Sequence, residues 1–154
     1  MFGIKFFEPN TEMLQWLKDY AGDRIIYDIG AGEGHITRGL NKLGAKVLGF
    51  EPMGEFDGNE YLKTGVRIMP WRIEDHPKLF VGVGNKVLLL FARPCHSDFV
   101  ANTLDMKDAD TEVLYITKEE NFFNYNDLGN HWERAELVKH KGTSKDKEVV
   151  YSVK

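Results

Sequence analysis

Residues 25–37, IIYDIGAGEGHIT, leave the chain few ways to fold. Ile25–Ile29 is a short apolar run rich in β-branched residues, the pattern of a buried strand. Glycines then take alternate positions, Gly30, Gly32 and Gly34. From there Ile36, Leu40 and Leu43 recur at helical spacing, and Gly44 stands where a C-terminal cap glycine belongs. A strand, a sharp glycine turn and a helix in that order open a unit of alternating strands and helices. The turn excludes side chains, and the helix that follows offers unpaired N–H groups suited to a carboxylate or phosphate.

The rest of the chain continues the alternation. Asn10 or Thr11 is placed to cap a helix carrying Met13, Leu14, Trp16 and Leu17 and ending near Ala21-Gly22. Ala45–Phe50 reads as a second strand, Phe56–Lys63 as a short helix and Val66–Met69 as a third strand. Pro77, Gly82 and Gly84 break the next connection. Lys86–Ala92 (KVLLLFA) is a buried strand, Ser97 caps a helix running to about Asp108, and Glu112–Thr117 is a fifth strand. From Glu133 to Lys154 two strands flank the turn-like Lys141-Gly142-Thr143-Ser144; a tight turn joins only antiparallel strands. The pattern predicts one α/β domain over 1–154, with an N-terminal helical segment at 1–22 and a largely parallel sheet with right-handed crossovers.

Composition narrows the classes. A chain of 154 residues buries a core without covalent staples. Its net charge of −4 gives no global basic field for a nucleic-acid backbone. The lone cysteine, Cys95, rules out an intrachain disulfide and a four-cysteine zinc site, which fits a reducing compartment. The five histidines (His35, His76, His96, His131, His140) are scattered without a ligand pair, so no metal site is expected. The opening MFGIKFFEPN lacks a signal-peptide pattern, and Val87–Ala92 falls far short of the roughly 20 apolar residues of a membrane span. A soluble, cytoplasmic protein with no membrane association is expected.

Spacing then selects among glycine-loop ligands. A P-loop requires Lys-Ser or Lys-Thr after its glycines, and none follows here. The dinucleotide fingerprint requires glycines at relative positions one, three and six; the sixth is His35, with Gly34 one residue too early. The pattern present is Asp-x-Gly-x-Gly-x-Gly, on Asp28, Gly30, Gly32 and Gly34. Glu51 closes the next strand about twenty residues on, where an acid can accept from both ribose hydroxyls. Glycine pattern, strand-end acid and terminal hairpin together resemble the class I S-adenosylmethionine-dependent methyltransferases, in a minimal version.

That resemblance implies a Rossmann-like three-layer α/β fold with a seven-stranded sheet in the order 3-2-1-4-5-7-6. It implies S-adenosyl-L-methionine as cofactor, with S-adenosyl-L-homocysteine as product. Asp28, Gly30, Ala31, Gly32 and Gly34 would line the methionyl end, Glu51 the ribose, and Pro52 and Met53 the adenine. In the family the third strand leads to an acid that contacts the adenine amino group. Here that position falls on Arg72, which cannot accept a hydrogen bond. Glu74 or Asp75 then takes over, or adenine packs on Ile73. Arg93 counts among the cofactor contacts and alternatively binds an anionic substrate or pairs with Asp98 or Glu119.

The methyl acceptor approaches, by the family's geometry, over the end of the fourth strand, at Arg93-Pro94-Cys95-His96. Cys95 and His96 are the candidate catalytic residues. A Pro-Cys pair there resembles the cytosine-5 methyltransferases, with Cys95 as thiolate nucleophile, although those enzymes are much larger; otherwise Cys95 is a small buried residue. His96 suits a general base or a hydrogen-bonded residue at the helix start. The Asp/Asn-Pro-Pro-Tyr/Phe signature of amino methyltransferases is absent. Trp71, Phe122, Phe123, Tyr125 and Trp132 form either an aromatic rim for a planar substrate or core. The acceptor (RNA, protein or small molecule) is open, and the short connections leave room for a partner chain or homo-oligomer to complete the site. Two other readings stand beside this one: a non-catalytic S-adenosylmethionine- or S-adenosylhomocysteine-binding module, and an NAD-binding oxidoreductase, which His35 disfavours.

Overall fold

The computed structural model describes residues 10–32, 34–51, 68–69, 71–92, 99–118, 128–139 and 148–154. Helix α1 spans Thr11–Ala21, with the Asn10 side chain accepting from the Met13 N–H at 2.8 Å. Strand β1 (Ile25–Ile29) leads through the glycine turn into α2 (His35–Lys42), then β2 (Val47–Phe50) and β3 (Ile68–Met69). Three short 3-10 turns connect to β4 (Val87–Ala92); α3 (Phe99–Met106), β5 (Glu112–Lys118), β6 (Ala135–Lys139) and β7 (Glu148–Val153) complete the order. The expected helix at Phe56–Lys63, the cap at Ser97 and the turn at 141–144 lie outside the described residues.

Seven strands form one sheet in the order β3-β2-β1-β4-β5-β7-β6. β1, β2, β3, β4 and β5 pair in parallel, and β7 runs antiparallel to both β5 and β6. This is the expected topology, and its order reverses between β1 and β4. β4 shows why a continuous apolar run was needed. Val87, Leu89 and Phe91 enter the core on the α3 face, while Leu88 and Leu90 enter the core beneath α1 and α2. A strand covered on both faces cannot alternate apolar with polar residues.

Helix α2 stops in a Schellman arrangement. Gly44, at φ +83°, donates to Asn41 O at 3.0 Å, and Ala45 donates to Leu40 O at 3.0 Å. Lys18 of α1 adds its ammonium to Leu43 O at 2.7 Å, a cation at the negative end of the helix. The two helices touch closely because α2 carries Gly39: a Cβ there would stand 2.5 Å from Leu14 Cδ1. Gly39→Ala is therefore expected to destabilise the fold by about 1–2 kcal/mol, overpacking outweighing the gain in helix propensity. Thermal melts of Gly39→Ala, Leu14→Ala and the double variant check this; strict additivity would contradict it.

At the far end of the sheet, Glu112 opens β5 and gathers three donors from other elements. Tyr20 Oη and Ser152 Oγ both donate to Oε2 at 2.5 Å, and Arg24 Nη1 donates to Oε1 at 2.7 Å. The same guanidinium donates to Tyr20 O and Ala21 O, satisfying carbonyls at the end of α1.

Candidate functional site

Ligands of open α/β sheets sit beyond the carboxyl ends of the strands, where the order reverses. In this sheet that is the end of β1, and there the chain makes its glycine turn. Gly30 and Ala31 both donate to Phe50 O, at 2.8 and 3.0 Å, pinning the turn to the last residue of β2. Gly30, Gly32 and Gly34 have φ of +74°, +56° and +83°, the left-handed region that side chains resist. Space is also restricted. A Cβ on Gly34 would lie 2.5 Å from Ile68 Cδ1 of β3, so Gly34 supplies the close approach one residue before His35. The His35 ring is half-buried at the first position of α2, with Nδ1 3.2 Å from Arg38 Nη2.

Two carboxylates hold this turn. Glu51 Oε1 accepts from the Gly32 N–H at 2.9 Å, and the Glu51 side chain is itself buried. Asp28 shares strand parity with Ile26 and so points into the face beneath α2, where it is 1% exposed. Its Oδ2 accepts from Thr37 Oγ1 at 2.7 Å, and the Thr37 N–H bonds to it as well. Burial raises the Asp28 pKa from 3.8 to about 6, and the nearby Glu51 charge adds to the rise; the two Thr37 donors oppose it. The helix cap at Gly34 has no side chain, so a strand residue satisfies a donor in the first turn of α2.

Asp28, Gly30, Ala31, Gly32, Gly34 and Glu51 are thus brought together at the ends of β1 and β2. Ile73 is nearby but buried in the apolar cluster with Phe50 and Phe91. Glu74 Oε2 accepts from Asn102 Nδ2 of α3 at 3.3 Å, while Arg72 and Asp75 are exposed. Pro52, Met53, Arg93, Cys95 and His96 lie outside the described residues. Of the five aromatic rim candidates only the Trp71 side chain is described; it is 39% exposed and stacks on His76 at 4.5 Å.

Three contributors escaped sequence reasoning. Thr37 stands on the buried stripe beside Ile36 and Leu40, and a polar residue on such a stripe is the signal that could have found it. Gly49 lies inside β2, where a Cβ would sit 2.7 Å from Thr37 Oγ1 and 3.3 Å from Ala31 Cβ. A glycine inside a strand marks such a close approach. Phe99, the first residue of α3, lays its ring 3.6 Å from where a Gly30 Cβ would be, and packs on Phe91 with centroids 5.6 Å apart.

No protein-family model matches the chain, and no curated protein matches it in sequence. Solved structures do. A ribosomal protein L11 methylase from Lactobacillus delbrueckii subsp. bulgaricus superposes with TM-score 0.58 and 14% identity, over 94% of this chain and 77% of that one. A precorrin-6y C5,15-methyltransferase from Geobacter metallireducens GS-15 gives 0.57 and 8%, over 93% and 87%. A TehB-like SAM-dependent methyltransferase from Corynebacterium glutamicum ATCC 13032 Kitasato gives 0.57 and 16%, over 98% and 89%. At these identities the likeness is one of fold: a Rossmann-like sheet shared with proteins described as methyltransferases. No helix among the described residues is long and apolar enough to cross a membrane.

Proposed function

We propose that the chain is an S-adenosylmethionine-dependent methyltransferase acting on an acceptor drawn from RNA, protein or small molecules. The observation that supports this best is the pair of buried carboxylates, Asp28 and Glu51, bracketing a left-handed glycine turn at the strand-order reversal. The donor set suits the cofactor. Glu51 is an acceptor at the end of β2, matched to ribose hydroxyls. The turn has no Cβ at three positions, matched to close approach by the methionyl end. Asp28 supplies negative charge near an ammonium group. When bound, the cofactor brings a methyl group already activated on a sulfonium. The protein's share of the work is then alignment and exclusion of water. Glu51 and the loop N–H groups hold and orient. The same reading assigns Pro52 and Met53 to the adenine and counts Ile73, Glu74 and Arg93 among the cofactor contacts. To Cys95 and His96, which follow β4 in the sequence, the reading gives the acceptor's chemistry: His96 as general base and Cys95 as nucleophile.

Calorimetry with S-adenosylmethionine, S-adenosylhomocysteine and NAD tests the reading. Both sulfur ligands are expected to bind and NAD is not. Glu51→Ala should weaken S-adenosylhomocysteine roughly 10- to 100-fold, the loss of hydrogen bonds to a charged acceptor. Absence of binding by either sulfur ligand would sink the proposal. Transfer of labelled methyl into a fractionated cell extract would then identify the acceptor class, and an unchanged rate in Cys95→Ser would remove the nucleophile role.

A further inference from the structure

The segment that turns from β1 into α2 has its two ends joined through one residue pair, by the hydroxyl and the backbone N–H of Thr37 on the Asp28 carboxylate. Asp28 precedes the turn and Thr37 follows it, and Thr37 Oγ1 donates to Asp28 Oδ2 at 2.7 Å. Both partners are about 1% exposed, so no water replaces the bond if it is lost. Between them lie the three left-handed glycines of the turn, Gly30, Gly32 and Gly34. The Gly34 cap contributes no side chain, and the first turn of α2 carries no acidic residue. The turn itself is pinned to β2 through Phe50 O and Glu51, and the direct side-chain tie from α2 to β1 is Thr37, a β-branched residue with little rotamer freedom in a helix. β2 is shaped around it: a Cβ at Gly49 would stand 2.7 Å from the Thr37 hydroxyl and 3.1 Å from Ile68 Cγ1.

We infer that Thr37 is a positioning residue for the cofactor loop: its hydroxyl sets the Gly30–Gly34 turn by tying the start of α2 to Asp28, and Gly49 keeps the space that this bond needs. The inference rests on the cofactor reading above. Thr37 acts through Asp28 and the loop backbone. Loss of its hydroxyl leaves the turn held by the Phe50 O, Glu51 and Thr37 N–H bonds alone, so the start of α2 and the turn before it shift in a fraction of molecules and a ligand must select the competent form. Apparent affinity falls by the fraction of molecules that hold it. A purely structural role predicts something different, a lower melting temperature with unaltered affinity of the folded protein.

The test uses the full chain and S-adenosylhomocysteine. Thr37→Val keeps the shape and the backbone N–H contact and removes the hydroxyl donor; it should raise the dissociation constant roughly 10-fold, as expected for a lost bond to a buried carboxylate. Thr37→Ser restores the hydroxyl and should restore affinity to within about 3-fold, the remaining gap reflecting its freer rotamer. Gly49→Ala leaves the hydroxyl in the chain but displaces it, and should resemble Thr37→Val. Thr111→Val removes another buried hydroxyl, which donates to Gly84 O at 2.7 Å, and should lower the melting temperature alone. Hydrogen exchange of ligand-free protein should show faster exchange at the Gly30, Ala31 and Gly34 amides in Thr37→Val and Gly49→Ala only. A folded Thr37→Val with wild-type affinity and loop protection overturns the inference, as does a Gly49→Ala protein with both intact. Wild-type protein that binds no S-adenosylhomocysteine fails the cofactor reading itself; retained wild-type binding with insensitive variants fails this inference alone.

Discussion

Glu112→Ala is expected to lose on the order of 3 kcal/mol of stability at neutral pH, the usual penalty for removing one member of a buried ion pair. For a chain of this size that is a fall of about 6–12 °C in Tm. The pair is shielded: the Arg24 and Glu112 side chains are 22% and 11% exposed, well away from the regime of solvated surface bridges. Removal of the carboxylate strands three donors together, on Tyr20, Arg24 and Ser152. Burial alone would raise the Glu112 pKa, but the hydrogen bonds from Arg24, Ser152 and Tyr20 outweigh it and hold it below 4.5. The opposite effect appears on Tyr20, whose hydroxyl is pushed up to about 12 by burial and then by the Glu112 charge. A depressed folded-state pKa means the stabilisation is present above 4.5 and is lost as pH falls through the depressed value. The gap between parent and Glu112→Ala should therefore be widest near pH 7 and narrow in acid. Urea melts at pH 7 and pH 3.5 check this, and a gap that stayed constant would contradict it.

Asp28→Asn should show the reverse dependence. The Asp28 pKa is raised in the folded chain from 3.8 to about 6, by burial first. Any stability from this group is fully present below 3.8 and is lost as pH rises through about 6. Holding the ionised form buried then costs the neutral-pH protein roughly 3 kcal/mol relative to acid. Asparagine keeps an oxygen for the Thr37 hydroxyl and carries no charge to bury. Its stability relative to the parent should rise by about that amount between pH 4 and pH 8. Melting curves across that range decide the matter, and a difference that fell with pH would refute the assignment. The same substitution should weaken S-adenosylhomocysteine binding, the familiar exchange of stability for function at a site.

Much of this architecture could be read before any coordinates. The cap at Asn10 or Thr11, the stop at Gly44 and the buried strand at Lys86–Ala92 are local signals, each decided within a few residues. The glycine spacing is local too, which is why the turn and its two acids were legible. What escaped reading is what distance in sequence hides. Glu112 meets Tyr20 from 92 residues away and Ser152 from 40, and no periodicity announces such a meeting. Gly39 and Gly49, inside a helix and a strand, carry no such local signal of their purpose. Each is a contact, with Leu14 and with Thr37, visible only once the partner element is packed. At residues 72–75 the family pattern broke at Arg72. There Ile73 went to the core and Glu74 to Asn102 of α3, a division set by packing.

Helix α2 has eight residues, too few to persist alone in water. Both of its ends are fastened to something else, to β1 through Asp28 and Thr37 and to α1 through Lys18 and Leu43. A segment this short keeps its shape only while both fastenings hold, so loss of either the Thr37 hydroxyl or the Lys18 ammonium should be felt along all of it, as faster amide exchange from one end of the helix to the other.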